Sequence, residues 1–285
     1  MNLSKEYIDI YNNYMKYINE IKRECRSIEH MKSRVLKKDR KASEEEIKVL
    51  ESDKVVDENN ELAESKSQNK IYKFSNGDTY IGKVINGKIN GTGVYMVSSE
   101  ESIGFEYIGE FNDDVKEGKG ICTFTNGNIY TGGFKNDVMD GIGQMLYKNN
   151  DEYIGGWVKG HKHGQGIYRW NEGTIYIGDF KKNKREGQGI CYDKEGNVIY
   201  DGEWKNNLTH GEGTYIWNEG KRYIGEFLNG KRHGYGTFYL NNELVYQGTW
   251  KYDKPSIFDK TLDEIFSFKL QSCIEKKIHH ISSSG

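Results

Sequence analysis

The stretch YIGGWVKGHKHGQGIYRW, residues 153–170, decides the fold of this chain. Its pattern returns every 23 residues, with one step of 24 and one of 27, and we number each copy from its first tyrosine as position zero. Glycine recurs at +2, +11 and +13, and position +4 is aromatic in every copy but the first. The zero positions are Tyr80, Tyr107, Tyr130, Tyr153, Tyr176, Tyr200, Tyr223 and Tyr246. Self-similarity at a fixed period of this length indicates a repeat architecture.

Each copy of the pattern predicts a β-hairpin. The segments from zero to +4 and from +13 to +17 have the period of two that is typical of strands, and turn sequences such as Asn126-Gly127 separate the copies. We expect a polar loop between the two strands, ending at the +11 glycine. If position n pairs with 17 − n, the +4 ring faces the +13 glycine of its own hairpin. Large rings would then lie over glycines, a device known from other sheets.

The composition excludes several classes of protein. The net charge of −2 gives no electrostatic footprint for nucleic acid. No apolar run approaches the length of a membrane span, and the first residues do not form a secretory signal. The four cysteines lack the spacing of metal ligands, and no set of nucleophile, acid and base converges. We therefore expect a soluble intracellular protein with no catalytic residues, no metal and no cofactor.

The repeated motif Y-x-G-x-[WF], followed by glycines at +11 and +13, resembles the MORN repeat (membrane occupation and recognition nexus). The resemblance covers residues 72–255, in seven full units and a final half. It implies mainly β structure, in an elongated, twisted antiparallel meander of consecutive hairpins. It also implies a non-enzymatic scaffold or adaptor at cytoskeletal, ciliary, axonemal or cortical structures. Some members self-associate, some bind a partner helix along the groove, and phosphoinositide binding has been claimed for the family.

The segments on either side of the repeats predict helices. We divide the chain into a charged helical N-terminal segment at 1–70, the repeats at 71–255 and an amphipathic capping helix at 256–285. The first segment carries apolar residues at heptad spacing, namely Tyr7, Tyr11, Tyr14, Ile18, Ile21, Cys25 and Ile28. This seam joins two chains through residues 7–28, folds back onto the aromatic face of the repeats or binds a foreign partner. We favour the fold-back, because a thin sheet otherwise leaves that face exposed.

Two functions follow from these features. In the first, the aromatic face binds protein partners, with a partner helix in the groove. Its residues would be Tyr153, Trp157, Tyr168, Trp170, Tyr176, Trp204, Trp217 and Trp250. The glycines that shape the face would be Gly155, Gly164, Gly166, Gly187, Gly189, Gly211 and Gly213.

In the alternative, basic turns tether the protein to phosphoinositides or other anionic lipids. The turn residues would be Lys181, Lys182, Lys184, Arg185, Lys231 and Arg232. The basic segment 22–41 is a second candidate for lipid binding. Either function places the protein in the cytoplasm, at the cytoskeleton or cilium, or peripherally at a membrane.

Overall fold

The structure, a computed structural model, describes residues 5–39, 48–50, 70–98, 104–217 and 220–256. The chain divides into two compact units. The first unit comprises Leu3–Gly173 and Lys181–Asn183, and the second comprises Met1–Asn2, Thr174–Phe180 and Lys184–Gly285. The capping helix expected at 256–285 lies outside the described residues, apart from Ser256.

The first unit holds one long helix and a series of antiparallel strands. The helix α1 spans Lys5–Asp39, as the N-terminal heptad spacing predicts. The strands are β1 (Lys48–Leu50), β2 (Lys70–Phe74), β3 (Thr79–Ile85), β4 (Lys88–Met96), β5 (Gly104–Asn112), β6 (Val115–Phe124), β7 (Ile129–Lys135), β8 (Val138–Leu146), β9 (Glu152–Val158) and β10 (His161–Arg169). From β2 to β10 each strand pairs antiparallel with the next strand along the chain, and β1 pairs parallel with β2.

The second unit continues the same pattern of strands. They are β11 (Ile175–Lys181), β12 (Lys184–Tyr192), β13 (Val198–Lys205), β14 (Leu208–Ile216), β15 (Lys221–Leu228), β16 (Lys231–Leu240), β17 (Glu243–Lys251) and β18 (Lys254–Pro255). From β12 to β18 each strand pairs antiparallel with the next. The prediction of a mainly β antiparallel meander of hairpins is therefore confirmed.

The two strands of each hairpin are joined by a turn that is shorter than the sequence suggested. In the hairpin that begins at Tyr176, only Lys182 and Asn183 separate the strands, and their φ angles are +49° and +70°. Two successive residues with positive φ are typical of a type I′ turn, whose twist matches that of the flanking strands. The expected loop up to the +11 glycine is therefore wrong, because the second strand already begins at +8.

The register also differs by two positions from the pairing of n with 17 − n. Tyr153 pairs with Tyr168, and Gly155 pairs with Gly166, so that beyond the bulge n pairs with 15 − n. Next to the turn, position n pairs instead with position 13 − n, since Val158 pairs with His161. The bulge between these two regions contains Gly164, whose φ of +66° is in the left-handed region. The irregularity at this glycine shifts the register by two.

The tyrosine rings, rather than the +4 rings, lie over the glycine pairs. A Cβ atom added to Gly166 would lie 2.6 Å from the Tyr153 ring. The Tyr153 hydroxyl donates a hydrogen bond to the carbonyl of Gly156 at 2.9 Å, and its ring meets Trp157 edge to face with centroids 5.3 Å apart. The same bond, from the hydroxyl at zero to the carbonyl at +3, occurs in all eight copies. This face of the sheet therefore has a core made of its own rings.

Helix α1 packs on the opposite face of the first unit. Ile21, Cys25 and Ile28 are buried against apolar residues that alternate with the ring positions along the strands. These strand residues are Ile71, Ile81, Val94 and Ile108. The helix folds back as expected, but the expected face was wrong. The rings already bury one another, so the apolar residues left to be covered are those on the other side.

Ion pairs and hydrogen bonds fix the direction of α1 across the strands. Lys119 on β6 binds Glu20 at 2.6 Å, and Lys22 donates to the side chain of Gln144 on β8 at 2.8 Å. Nearer the end of the helix, the Cys25 thiol lies 3.5 Å from the carbonyl of Ile108 on β5. Burial raises the pKa of this thiol to about 12, so it stays protonated and apolar in character. The helix thus crosses successive hairpins rather than following one strand.

Candidate partner-binding groove

The aromatic face forms the candidate site, but most of its predicted contact residues are interior. The structure buries the side chains of Tyr153, Trp157, Tyr176, Trp204 and Trp250. Only Tyr168, Trp170 and Trp217 are half-buried. The first five rings hold the sheet together and cannot offer a surface to a partner in this conformation. The accessible part of the face lies at position +17 in every copy and at those +15 positions that carry tyrosine, toward the ends of the second strands of the hairpins.

The predicted glycines divide into two roles. Gly166, Gly189 and Gly213 lie directly against a tyrosine side chain, where a Cβ atom would come within 3.0 Å, and a Cβ atom on Gly155 would meet the backbone of the facing strand at 2.6 Å and the Tyr153 hydroxyl at 2.7 Å. The +11 glycines Gly164, Gly187 and Gly211 instead adopt φ angles of +66°, +65° and +54°. The first group makes room for the rings, and the second allows the bulge that sets the register.

An apolar pocket opens in the first unit around Cys122. Its volume is about 370 Å³. It is lined by Tyr95, Val97, Glu106, Tyr107, Lys116, Cys122, Phe124, Phe134, Asp137, Val138, Met139 and Gly160. Cys122 occupies +15, where the copies on either side carry the larger Tyr95 and Met145. A small side chain at this place leaves space that a larger one would fill.

The Cys122 thiol itself is not poised for chemistry. Burial raises its pKa to about 11, and the reactive form of a cysteine is the thiolate. In the described part of the chain, Cys25, Cys122 and Cys191 are all buried, free cysteines. The remaining cysteine, Cys273, lies outside the described residues.

Basic side chains at +9 enter the aromatic face. In the first unit, the Lys162 ammonium lies 4.6 Å from the Tyr168 ring centroid, 5.5 Å from that of Tyr153 and 5.6 Å from that of Tyr147. Burial is the cause that lowers its pKa to about 8, while the charge of Asp151 works in the opposite direction. A cation held over ring faces is stabilised by the ring quadrupoles.

In the second unit, arginines occupy the equivalent position. The guanidinium of Arg185 lies 4.2 Å from the Trp204 ring, and that of Arg232 lies 4.5 Å from the Trp250 ring. Arg232 also donates from Nε to Asp253 at 3.2 Å. Both arginines belonged to the predicted lipid-binding set, but the structure places their charged groups over the aromatic rings. The set is thereby reduced to the exposed lysines Lys181, Lys182, Lys184 and Lys231.

The basic side chains at +9 were missed from the sequence, although a signal for them is present. Position +9 reads Ile, Lys, Met, Lys, Arg, Thr and Arg along the chain, and this column of partly basic residues lies next to the ring positions. Position +1 reads Ile, Ile, Thr, Ile, Ile, Asp, Ile and Gln along the chain, so this column does not distinguish the copies that α1 covers.

Within the residues that the structure describes, α1 is not apolar enough over any stretch to cross a membrane. The same residues contain no group of three or more His, Cys, Asp or Glu side chains arranged to hold a metal ion.

Comparison with solved structures gives matches of low similarity. The TCP domain of SAS-4 (dCPAP) from Drosophila melanogaster, solved with a proline-rich motif of Ana2 (dSTIL), is 18% identical with a TM-score of 0.31, over 46% of this chain and 68% of that chain. The wild-type TCP10 domain of CPAP from Danio rerio is 11% identical with a TM-score of 0.30, over 64% of this chain and 90% of that chain. Similarity at this level supports no conclusion about the present chain.

Comparison with family models is decisive. No curated protein matches the sequence significantly. The model described as the MORN repeat matches residues 80–96, 107–129, 130–152, 153–175, 176–198, 200–222, 223–244 and 246–256. The matches begin at the zero tyrosines and together cover more than half of the residues. The chain therefore belongs to the MORN repeat family.

Proposed function

We propose that this protein is a non-enzymatic scaffold whose aromatic face binds a segment of a partner protein. The observation that carries the proposal is the pocket of about 370 Å³ at Cys122. Its walls are mostly aromatic and aliphatic, and charged residues such as Lys116 and Asp137 stand among them. Concave sites with this composition, apolar inside with a few polar groups, are typical of ligand and peptide recognition.

The pocket fits a large apolar side chain of the partner. Phe124 and Met139 contribute partly accessible apolar surface to the wall, next to the buried ring of Phe134. A leucine, methionine or phenylalanine inserted there would lose its contact with water, which stabilises a complex by roughly 1.5–3 kcal/mol per fully buried side chain. Anchors of this kind supply most of the affinity in protein interfaces. A partner helix with one such anchor is the occupant we propose.

The cellular setting of this scaffold follows from the family resemblance alone. MORN proteins act at cytoskeletal, ciliary and cortical structures, and we propose the same setting for this protein. A cytoplasmic protein with a repeated binding face suits that role, because repeat arrays offer extended surfaces for assembly. Association of two copies through residues 7–28 is not part of the proposal, since Ile18, Ile21, Cys25 and Ile28 are buried within one chain.

Site-specific photo-crosslinking tests the proposal. Phe124, which lines the pocket, is replaced by p-benzoylphenylalanine, and Ile142, an exposed residue facing away from the rings, is replaced likewise as the control site. Irradiation of cells that express each variant should give a discrete crosslinked protein from position 124 and none from position 142. Equal crosslinking from both positions would contradict the proposal.

A pair of matched substitutions then tests the pocket itself. Cys122→Tyr fills it with the residue that Tyr95 and Tyr168 already place at +15, so the variant is expected to fold. Cys191→Tyr makes the same change at the same repeat position in the second unit. We expect the crosslink from position 124 to disappear in Cys122→Tyr and to persist in Cys191→Tyr. A crosslink that survives Cys122→Tyr would show that the pocket does not hold the partner.

The lipid-binding alternative now rests on the exposed lysines. Lys181, Lys182 and Lys184 lie on or beside one turn, and each could contribute about 1 kcal/mol at an anionic surface. Changing these three lysines to Glu should abolish sedimentation with vesicles of phosphatidylcholine and phosphatidylserine if the turn binds lipid. Failure of the unchanged protein to sediment at low salt would remove the alternative.

A further inference from the structure

We propose that the back face of the second unit, meaning the sheet face opposite the tyrosine rings, binds an amphipathic helix of a partner protein. This helix carries Lys or Arg along one flank of its apolar stripe and Asp or Glu along the other. The surface is separate from the aromatic face, so the inference does not rest on the proposed function. It is carried by a comparison of the two units, because α1 occupies the same face of the first unit.

In the first unit, α1 lies over one continuous row of residues on the back face. The row crosses the paired strands through Ile81, Val94, Ile108, Ile121, Thr131, Gln144 and Ile154. Only 4% of Ile108 is exposed beneath the helix. The polar residues Thr131 and Gln144 are buried as well. A helix therefore covers this row even where the row is not apolar.

The equivalent row of the second unit is exposed or half-buried. It crosses the strands through Ile190, Asp201, Thr214, Ile224, Thr237 and Gln247. Ile224 occupies +1 in its copy, as Ile108 does, but 42% of Ile224 is exposed. Tyr235, two residues before Thr237 on the same face, is 57% exposed. Large apolar side chains that lie exposed beside one another mark a surface suited to a partner.

Charged residues on either side of the row hold α1 in the first unit. On one side, Lys119 on β6 pairs with Glu20 and Glu24 of the helix at 2.6 and 3.4 Å. On the other side, Glu106 on β5 pairs with Lys32. The helix thus presents acidic residues on one flank and a basic residue on the other. Its charges match those of the strands beneath it.

The strands of the second unit carry the reverse charges at the same repeat positions. Lys119 occupies +12 in its copy, and the +12 residue of the second unit at this place is Glu212, which pairs across the strands with Glu226. Glu106 occupies the position before the zero tyrosine, and Arg222 occupies that position on β15. A helix on this row therefore needs a basic residue over Glu212 and an acidic residue over Arg222.

The pair of Glu212 and Glu226 favours a cationic partner for a second reason. The two residues are directly opposite on β14 and β15, and like charges in such a pair are destabilising. Glu226 has a structural task, since its Oε1 accepts a hydrogen bond from the backbone N–H of Tyr235 at 2.7 Å. Among the residues that the structure describes, the Glu212 carboxylate forms neither an ion pair nor a hydrogen bond. A Lys or Arg of the partner would replace the repulsion by attraction.

The width of the charge pattern suits a helix. The flanking residues lie two positions from the row along each strand, which corresponds to roughly 7 Å on either side. A helix with its side chains is about 10–12 Å wide, so it covers the row and reaches both flanks. Its apolar stripe would recur at i, i+3, i+4 and i+7, and would meet Ile190 and Ile224 on the row.

Selection of helical peptides tests the charge pattern. A displayed library keeps one apolar stripe and carries either Lys or Glu at each position of the two flanks. It is panned against the full-length protein, Glu212→Lys and Glu195→Lys, where Glu195 is an exposed acid in the turn between β12 and β13. We expect the unchanged protein and Glu195→Lys to select peptides with Lys on one flank and Glu on the other. The preference for Lys should disappear on Glu212→Lys.

The affinity of the best peptide gives the magnitude. Glu212→Lys should weaken its binding by roughly tenfold to a hundredfold, because the substitution brings like charges together in the complex. Glu195→Lys should leave the affinity almost unchanged. Added salt should weaken binding to the unchanged protein more than binding to Glu212→Lys, since salt screens the attraction.

Photo-crosslinking locates the bound peptide. p-Benzoylphenylalanine replaces either Tyr235 on the back face or Tyr252, which has similar exposure but lies in the turn between β17 and β18. The selected peptide should crosslink to position 235 and not to position 252, and equal crosslinking would contradict the site. The purified protein is also irradiated without peptide. A crosslink from position 235 to residues 257–285 or to a second copy would show that the chain itself covers the face, which overturns the proposal.

Thermal melting shows whether each variant is folded. Glu212→Lys should melt no lower than the unchanged protein, because it turns the pair with Glu226 into one of opposite charges. Should it unfold, Glu226→Gln keeps an oxygen for the Tyr235 N–H, removes one charge of the same pair and should also weaken binding. The proposal is wrong if the unchanged protein selects peptides without a charge preference, or if folded Glu212→Lys binds the best peptide as tightly.

Discussion

Substitution of Gly166 by alanine should strongly destabilise the first unit. Gly166 lies under the ring of Tyr153, and a Cβ atom would sit 2.6 Å from both the Cε2 atom and the hydroxyl oxygen of that side chain. The Tyr153 side chain is fully buried and is held by its hydroxyl bond to Gly156 and by its edge-to-face contact with Trp157. The ring therefore cannot move away without losing these contacts.

The magnitude can be estimated from the separate contributions. Overpacking costs roughly 1–3 kcal/mol, a weakened hydroxyl bond about 1 kcal/mol and a disturbed ring pair about 1 kcal/mol. The reduced freedom of the unfolded chain offsets about 0.4–1 kcal/mol. We expect a net loss of about 3 kcal/mol for Gly166→Ala.

A nearby glycine provides the matched control. Gly164 has a φ of +66° and would place a Cβ atom in open space, with no other atom within 4 Å. In Gly164→Ala the only cost is that alanine must adopt the left-handed backbone conformation, which destabilises the folded protein by about 1–2 kcal/mol. The reduced freedom of the unfolded chain offsets part of this cost, as it does for Gly166→Ala. The two substitutions separate a steric cost from a conformational cost.

Hydrogen exchange resolves the effect locally. The opening free energies of amides in β9 and β10, measured by mass spectrometry at low denaturant, report the stability of this hairpin even if the repeats do not unfold together. Tyr153→Leu is added to each alanine variant to complete two double-mutant cycles. Equal losses for Gly166→Ala and Gly164→Ala, or a Gly166→Ala effect unchanged by Tyr153→Leu, would refute the packing of rings on glycines.

Three further predictions concern single side chains. Trp157→Phe removes the indole hydrogen bond to the carbonyl of Gly143 at 3.2 Å but keeps a ring, and thermal unfolding should show a loss of about 1 kcal/mol. Burial lowers the pKa of Lys162 to about 8 in the folded protein, whereas in the unfolded chain the pKa of lysine keeps its ordinary value of about 10.5. Between these two pH values the unfolded chain therefore binds more protons than the folded protein. From pH 7.5 to 9.5, the unfolding free energy of the unchanged protein should therefore rise by about 2 kcal/mol relative to that of Lys162→Met. At higher pH, ionisation of the tyrosines reverses the trend. If urea titrations show no rise, the lysine is solvated in the folded protein. Ile21→Ala should lower the free energy of unfolding by about 2–5 kcal/mol and leave the molecular mass measured by light scattering unchanged. A change from dimer to monomer would instead show that α1 packs between two chains.

The accessible part of the site could be predicted only in part. The aromatic and glycine columns are visible in the sequence, because the fold repeats them without exception after the first copy. The pocket at Cys122 could not be predicted from its residue type, since a small apolar residue at +15 is equally compatible with a filled core. It depends on how far the side chains of Phe124 and Met139 reach across two neighbouring hairpins. The three tyrosine rings around Lys162, from Tyr147, Tyr153 and Tyr168, likewise come from different strands of the sheet.

The sequence by itself determined the repeat, the strand period and the antiparallel order of hairpins, because these depend on local propensity and on spacing along the chain. It also determined the apolar seam of α1, since that seam is a property of one helix. Only the tertiary structure decided the register, which was set by a bulge at Gly164 whose effect is not local to either strand. The tertiary structure also decided which face α1 covers. That choice depends on which apolar side chains remain exposed after the rings have buried one another, and this is known only once the rings are packed.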